Sequence, residues 1–356
     1  MKRIEIAGRP IGPDHAPYVI AEMSGNHNQS LDRALAIIDA IADAGAHAVK
    51  LQTYTADTMT LDLTEGAFVI DDPASLWHGR SLHDLYTKAH TPWAWHPALF
   101  ERARRNGITC FSSPFDDTAV DLLERLDAPA YKIASFENTD LALLRRVART
   151  GRPIIVSTGM ANLAELHQAV ATVRAEGNDQ IVLLKCTSTY PADPADSHLR
   201  TIPHLREAFG VEVGLSDHTL GVGVPIAAVA LGATVIEKHV TLDRGEGGVD
   251  AAFSLEPHEL RTLVAETARA HASLGAIHYG ASAAEQGSKQ FRRSLYVVRD
   301  IPAGEALDGT NVRAIRPGYG LPVAELDRVL GMVVTRDVVR GTPLDWTMLR
   351  PSADRR

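Results

Sequence analysis

Apolar positions along the chain fall into short runs rich in Val, Ile and Ala, each closed by a polar cluster and followed by a stretch with helical spacing. From residue 18 to about residue 275 this unit recurs eight times. The runs at 18–22, 48–53, 108–112, 130–135, 153–157, 181–186, 211–215 and 234–239 read as strands, and 30–44, 117–126, 141–149, 162–176 and 256–274 read as helices between or after them. Strands that alternate with helices pair in parallel through right-handed crossovers, and eight such units is the number that closes a barrel. The pattern therefore predicts an α/β fold, a (β/α)8 TIM barrel over residues 1–280. An open doubly wound sheet is the competing arrangement. Against it, no glycine-rich dinucleotide turn follows the first strand, and Gly221-Val222-Gly223 has Ile226 where that turn needs a third glycine.

Local punctuation agrees with these boundaries. Ser30 stands where a helix must begin and Gly45 where it must stop, and Asn106-Gly107 and Thr150-Gly151 precede the third and fifth strands. Residues 54–96, with Trp77, Trp93 and Trp95, are too many for a simple connector and are expected to fold over the barrel mouth. After residue 274 the grammar changes. Residues 281–292 read as a linker, and short apolar runs at 294–298, 301–305, 313–317 and 331–339, joined by Gly and Pro turns, predict a small β-rich domain at 293–356. A domain of that size is near the lower limit for independent stability and is expected to lean on the barrel or on another subunit.

Composition narrows the function. The 356 residues carry 36 Lys and Arg against 44 Asp and Glu, a net charge of -8 without long blocks, which argues against a nucleic-acid partner. No apolar stretch reaches the roughly 18 residues of a membrane span, and Met1 to Pro10 lacks the apolar core of a signal peptide, so a soluble, cytoplasmic protein with no membrane partner is expected. Cys110 and Cys186 are too few for a disulfide framework and read as buried free thiols.

In a parallel barrel the active site lies at the carboxyl ends of the strands, and the polar residues gather there. The strand ends carry, in order, Glu22, Lys50 with Gln52, Ser112 with Ser113, Lys132 with Ser135 and Glu137, Ser157, Ser188 with Tyr190, Ser216 with Asp217 and His218, and Glu237 with His239. His218 and His239 close neighbouring strands, an arrangement that suits a divalent metal of Zn, Mn or Fe character. Glu237 shares the pleat parity of His239 and reads as a third ligand or as an orienting neighbour. Lys50 and Lys132, with Ser113, Ser135, Ser157 and Ser216, make a lining suited to a phosphate and a carboxylate. The bland alternative pairs the two lysines with Glu22 and Glu137. Lys132 also has opposite parity to Ser135 and Glu137, so a regular pleat must end or twist between them.

The motifs Ala21-Glu22 with Asn26-His27-Asn28, Val49-Lys50-Leu51-Gln52, Ser112-Ser113-Pro114-Phe115, Tyr131-Lys132-Ile133-Ala134-Ser135, Ser157-Thr158-Gly159-Met160, Gly214-Leu215-Ser216-Asp217-His218-Thr219 and Glu237-Lys238-His239 resemble those of the sialic acid synthase family over nearly the whole chain. Arg316-Pro317-Gly318-Tyr319-Gly320 resembles that family's C-terminal antifreeze-like (SAF) domain, a β-clip. The resemblance implies a transferase that condenses phosphoenolpyruvate with an open-chain N-acetylated amino sugar, releasing phosphate. It implies that Lys50, Ser113, Lys132, Ser135, Ser157, Ser188 and Ser216 hold phosphoenolpyruvate and that Glu22, Lys50 and Lys132 are catalytic, Glu22 handling the attacking water. It further implies that Gln52, Glu137, Tyr190, Asp250 and Arg316 contact the sugar, Arg316 reaching over in a domain-swapped homodimer. His218 and His239 would bind Mn2+, with Mg2+ or Co2+ as substitutes.

The loop Gly247-Gly248-Val249-Asp250-Ala251-Ala252-Phe253-Ser254, together with Ser188, resembles the pseudaminic acid branch of the family more than the N-acetylneuraminate branch. That implies 2,4-diacetamido-2,4,6-trideoxy-L-altrose as acceptor. The competing readings are an N-acetylneuraminate or legionaminic acid synthase taking a manno-configured sugar, a Schiff-base aldolase using Lys132 or Lys185, and a non-catalytic sugar-binding protein.

Overall fold

A computed structural model describes residues 4–352. The first two strands, β1 (Ile4–Ile6) and β2 (Arg9–Ile11), form an antiparallel hairpin. Eight parallel strands then pair in chain order: β3 (Tyr18–Glu22), β4 (Ala48–Thr53), β5 (Thr109–Pro114), β6 (Tyr131–Ile133), β7 (Ile154–Ser157), β8 (Ile181–Cys186), β9 (Glu212–Asp217) and β10 (Val235–His239). Strand β10 pairs with β3 and closes the barrel, as the eightfold pattern predicts. The helices α1 (Leu31–Asp43), α2 (Ala56–Met59), α3 (Leu82–Ala89), α4 (His96–Arg105), α5 (Asp117–Arg125), α6 (Leu141–Ala148), α7 (Leu163–Ala175), α8 (Thr201–Phe209), α9 (Gly223–Ala230) and α10 (Pro257–Leu274) lie between or after the strands.

Both faces of a barrel strand are buried, which is why these strands read as near-continuous apolar runs. Alternate residues point in and out. The outward set, with Val19, Val49, Ile133, Leu183 and Leu215, packs under the helices in one large core with Ile37, Ile38 and Ile41 of α1. The inward set, with Tyr18, Ile20, Phe111, Val182 and Val235, forms a second core together with Ile4, Ile6 and Ile11 of the hairpin. The hairpin thus caps the amino-terminal end of the pore, leaving the other end for polar side chains. Nothing in the periodicity announces it, because its two strands are only three residues each.

Helix starts follow side-chain chemistry. Ser30 accepts from the Arg33 N–H, and Asn162 with Glu165 forms a reciprocal capping box. Gly45 adopts a φ of 82°, which lets the chain turn directly from α1 into β4. The pleat breaks where the parity of Lys132 requires: β6 ends at Ile133, and Ser135–Glu137 form a turn of 3₁₀ helix.

The chain divides at Gly275/Ala276 into two compact units. The second unit has its own core, built from Leu295, Val297, Ile301, Leu307, Val312 and Leu344 among others. Strands β11 (Ser294–Val297) and β12 (Val312–Ile315) pair antiparallel, and β13 (Val333–Val334) pairs with β14 (Leu349–Arg350). The runs expected as strands at 301–305 and 331–339 are mostly irregular, joined by a single bridge between Ile301 and Val338. Within the expected linker, Ala283–Phe291 form a 3₁₀ helix, started by reciprocal bonds between Ser282 and Glu285.

Candidate functional site

The strand register sets the floor of the site. Glu22 is paired with Lys50 on one side and with His239 on the other, so three polar side chains stand at one level of the pore. Lys50 Nζ lies 2.5 Å from Glu22 Oε2 and 3.6 Å from Glu237 Oε1, and Lys132 Nζ lies 3.4 Å from the same Glu237 oxygen. Ser216 Oγ donates to Glu237 Oε1 at 3.0 Å, and Lys50 Nζ donates to Ser113 Oγ at 3.4 Å. Two cations and two carboxylates make this quartet neutral, which is how four charges can share an interior less than one-tenth exposed.

Glu237 is the counter-ion of both lysines, because its pleat aims it across the pore at β4 and β6, and it also lies within electrostatic reach of His218. Lys132 pairs with Glu237 and not with Glu137, since Glu137 lies beyond the point where the pleat ends.

Burial and pairing set the charges. Burial lifts the Glu22 carboxyl above its usual range, against the pull of Lys50. Burial works on Glu237 the same way, but Lys132 and Lys50 together hold it low. Lys132 is pushed down by burial, while Lys50, despite burial, is held up by Glu22 and Glu237.

Above this floor stand the histidines, their ring centroids 5.2 Å apart. His218 Nδ1 bonds the Thr187 carbonyl at 2.9 Å, and the ring also shares a hydrogen bond with the Cys186 side chain. His239 Nδ1 is buried without a hydrogen-bond partner, 3.6 Å from Asp250 Oδ2. Burial, then the neighbouring His218, keep His239 far below the usual imidazole range and hence neutral. Phe253 packs 5.0 Å from His239, and Tyr190 packs 4.5 Å from His218. Two adjacent imidazoles, with the Asp250 carboxylate 3.6 Å from His239 Nδ1, are donors of a kind that suits a divalent cation of borderline softness. No group of three His, Cys, Asp or Glu side chains forms a metal cage among the described residues. A metal held by the two imidazoles would have to take its remaining ligands from water and substrate.

Asp250 ties this upper level to the floor. Its carboxylate accepts from Ser24 Oγ, Gln52 Nε2 donates to Ser24 Oγ at 3.2 Å and to Glu22 Oε1 at 3.0 Å, and the Ser24 N–H donates to the same Glu22 oxygen at 3.1 Å. Burial raises Asp250 to about 6. Glu137, on the 3₁₀ turn after β6, is raised by burial to about 7, and its Oε2 has no hydrogen-bond partner.

A cradle of hydroxyls surrounds Gly159. Its N–H donates to Ser135 Oγ at 3.2 Å, and a Cβ here would come within 2.2 Å of Ser188 Oγ and 2.6 Å of Ser135 Oγ. Ser157 Oγ is buried with no partner of its own. Lys50, Lys132, Ser135, Ser157, Ser216 and both histidines line one cavity of about 660 Å3, together with Gln52, Glu137, Tyr190 and Asp250. Glu22 and Ser113 are wholly buried beside that lining through Gln52 and Lys50. Arg316 belongs to the second unit, where it is exposed. Lys185, the other lysine considered for a Schiff base, turns its Nζ to the Cys186 carbonyl at 2.9 Å and to Thr187 Oγ1 at 3.1 Å.

Sequence reasoning missed Ser24, Phe253 and Gly159 as parts of the site, although Phe253 and Gly159 each stand inside a family-like motif. It placed the excursion after β4 over the mouth, and Trp77 of that excursion does line the cavity, donating from Nε1 to the Val249 carbonyl at 3.0 Å. Trp93 and Trp95 instead pack against the chain beside it, Trp93 on the Tyr54 carbonyl and Trp95 edge-on to His27. Cys110 and Cys186 are buried free thiols, with Cys186 on the cavity wall.

Comparison with known proteins agrees with this geometry. Residues 37–279 match the NeuB family and residues 292–350 match the SAF domain. The chain is 43% identical over 331 residues to a pseudaminic acid synthase of Campylobacter jejuni, covering 93% of this chain and 96% of the relative. It is 43% identical to a pseudaminic acid synthase of Helicobacter pylori over 92% of this chain and 96% of that one. Among solved structures, it is similar to an N-acetylneuraminic acid synthetase of Leptospira borgpetersenii in complex with citrate. There the TM-score is 0.72 at 32% identity, covering 81% of this chain and 95% of the other.

Proposed function

The chain belongs to the NeuB family, and from that premise we propose that it catalyses the pseudaminic acid synthase reaction: phosphoenolpyruvate and 2,4-diacetamido-2,4,6-trideoxy-L-altrose condense to a nine-carbon 2-keto acid with release of phosphate. The observation that carries the reading is the convergence, in one cavity, of two buried lysines, a cradle of serine hydroxyls and a pair of adjacent imidazoles. An anionic donor needs the first two and an aldehyde acceptor the third.

Lys50 and Lys132 pair with the donor's carboxylate and phosphate, and Ser113, Ser135, Ser157, Ser188 and Ser216 bond its remaining oxygens. Glu237 keeps both ammonium groups charged and aimed until the donor arrives. A divalent cation, Mn2+ or a substitute such as Mg2+ or Co2+, would be held by His218 and His239 and would polarise the acceptor aldehyde. The acceptor is held open by Gln52, Glu137, Tyr190 and Asp250 so that C3 of the enol reaches its aldehyde carbon and forms the new C–C bond. Positive charge then develops at C2. Glu22, an ionised carboxylate beside Lys50 that burial makes more basic, takes a proton from the water that adds there, and the tetrahedral carbon expels phosphate to leave the keto group. Water enters, phosphate leaves, and no electrons change hands.

The same reading includes a homodimer, with Arg316 of a second copy reaching the sugar, and a cytoplasmic setting. No helix among the described residues is long and apolar enough to cross a membrane. The test is phosphate release from phosphoenolpyruvate with Mn2+, offering the diacetamido-trideoxy-altrose and N-acetylmannosamine in parallel, with mass spectrometry of the product. Turnover of the altrose is expected. Turnover of N-acetylmannosamine alone would move the chain to the neuraminate branch.

A further inference from the structure

The cavity has polar and apolar stretches of lining. Its floor is charged and hydroxylated, whereas the excursion between β4 and α4 contributes a wall of Tyr54, Met59, Ile70, Leu82, Leu85 and Tyr86. Tyr54 is locked in place edge-on to Tyr86, at 5.8 Å between ring centroids, and edge-on to Phe115 at 5.2 Å. Burial holds both phenols neutral. The polar members of this stretch are turned to local use: an Asp72 carboxylate oxygen accepts from the Ala74 N–H at 2.9 Å, and Ser75 Oγ accepts from the Trp77 N–H at 3.2 Å. Such a wall offers a ligand mainly apolar contact through Met59, Ile70, Leu82 and Leu85, with its hydrogen-bonding groups confined to the two phenols and the Asp72–Ser75 turn.

The reading above places the donor on the lysine floor and the acceptor's aldehyde by the histidines, so the end of the sugar farthest from the aldehyde is left to the wall. We infer that Ile70, Leu82 and Leu85, with Tyr54 and Tyr86 behind them, select the acceptor at that far end by taking a methyl terminus and disfavouring a hydroxymethyl one. The physical reason is the cost of removing a hydroxyl from water without giving it a partner. An apolar pocket rejects an added hydroxyl only moderately, by about tenfold to a hundredfold, because the hydroxyl adds little volume. The inference rests on the proposed reaction, but it concerns residues that no family motif contains.

The test compares kcat/KM for 2,4-diacetamido-2,4,6-trideoxy-L-altrose with that for the same sugar bearing a 6-hydroxyl, in the wild-type enzyme with Mn2+. The measurement is repeated in Ile70→Asn and Leu82→Gln, whose folding is checked by thermal melting and whose donor site is checked by the KM for phosphoenolpyruvate. Wild type is expected to favour the 6-methyl sugar by about tenfold or more. Each folded variant should narrow the ratio to within about threefold, through the sugar KM, with the phosphoenolpyruvate KM unchanged. A wild-type ratio near one overturns the inference whether or not the variants fold, and so does a ratio that folded variants leave intact. In both cases turnover of the altrose survives, and the proposed reaction stands. Release of phosphate with neither sugar overturns the reaction itself and the inference with it.

Discussion

Lys238 Nζ lies 2.7 Å from Asp217 Oδ2, and both side chains are almost wholly buried on the outward face of their strands. Asp217 also accepts from the Thr219 N–H at 3.1 Å and from Thr219 Oγ1 at 3.0 Å, while Lys238 donates to the Thr219 carbonyl. His218 stands between the two residues so held. The middle residue of Glu237-Lys238-His239 therefore does not face the cavity at all. It fixes from behind the backbone that presents one of the two imidazoles.

Replacing Lys238 with Met leaves Asp217 buried and unpaired, and breaking such a pair costs about 3–5 kcal/mol. A fall in melting temperature is expected, together with weaker Mn2+ binding measured by electron paramagnetic resonance. Pairing Lys238→Met with Asp217→Leu should recover much of the stability but not the metal affinity. Unaltered Mn2+ affinity in folded Lys238→Met would show that His218 does not depend on this latch.

Glu22→Gln preserves shape and can still meet Gln52 and Ser24, but it cannot accept the proton of the attacking water. The expected result is a fall in kcat of about 10²–10⁴ with phosphoenolpyruvate binding largely retained by calorimetry. Wild-type-like rates would remove Glu22 from the chemistry.

Chelation should abolish phosphate release, and Mn2+ should restore it. His218→Ala and His239→Ala should each lose Mn2+ binding without losing the barrel's far-ultraviolet dichroism, since both side chains stand at the mouth and not in the packed layers. Full activity in excess chelator would end the assignment of a metal to this pair.

Gly159→Ala places a methyl into the hydroxyl cradle, where Ser188 Oγ and Ser135 Oγ already stand 2.2 and 2.6 Å from the Cβ position. Accommodation needs both serines to rotate away from the cavity. The KM for phosphoenolpyruvate should rise about tenfold or more, a loss of roughly 1.4 kcal/mol, with the sugar KM little changed. A sugar-only effect would relocate the donor site.

Glu137 gives a pH dependence of stability. Burial raises its carboxyl from 4.5 to about 7, opposed by Lys132 and Lys50 and assisted by Asp140. For an acid raised on folding, the native state binds more protons, so its stabilising contribution is complete below pH 4.5 and is lost as pH rises through 7. Glu137→Gln should therefore match wild type near pH 4.5 and exceed it by about 1–3 kcal/mol at pH 8 in urea titrations, the range allowing for partial solvent access. A constant difference across that range would show that Glu137 ionises freely in the native protein.

The sequence by itself determined the barrel. A unit repeated eight times admits few closures, and because both faces of every strand are buried, each strand had to read as an apolar run. It also determined which strand ends are polar, and hence much of the polar lining of the cavity. It could show that Lys132 and Ser135 cannot share one pleat, and the break after Ile133 is where that constraint is met.

Only the tertiary structure decided partners. Lys50 and Lys132 sit on strands separated by β5, and neither adjoins β10 in sequence, so their common counter-ion Glu237 depends on closure of the barrel and on register across the pore. The same holds for Asp250, brought to His239 and Ser24 by a loop without periodicity, and for the apolar wall, whose residues carry no motif because packing asks only for size and lack of charge. Periodicity is a property of neighbours along the chain. Chemistry in this protein is done by neighbours across the barrel, and those are set by strand order, shear and the single pair of strands that closes the ring.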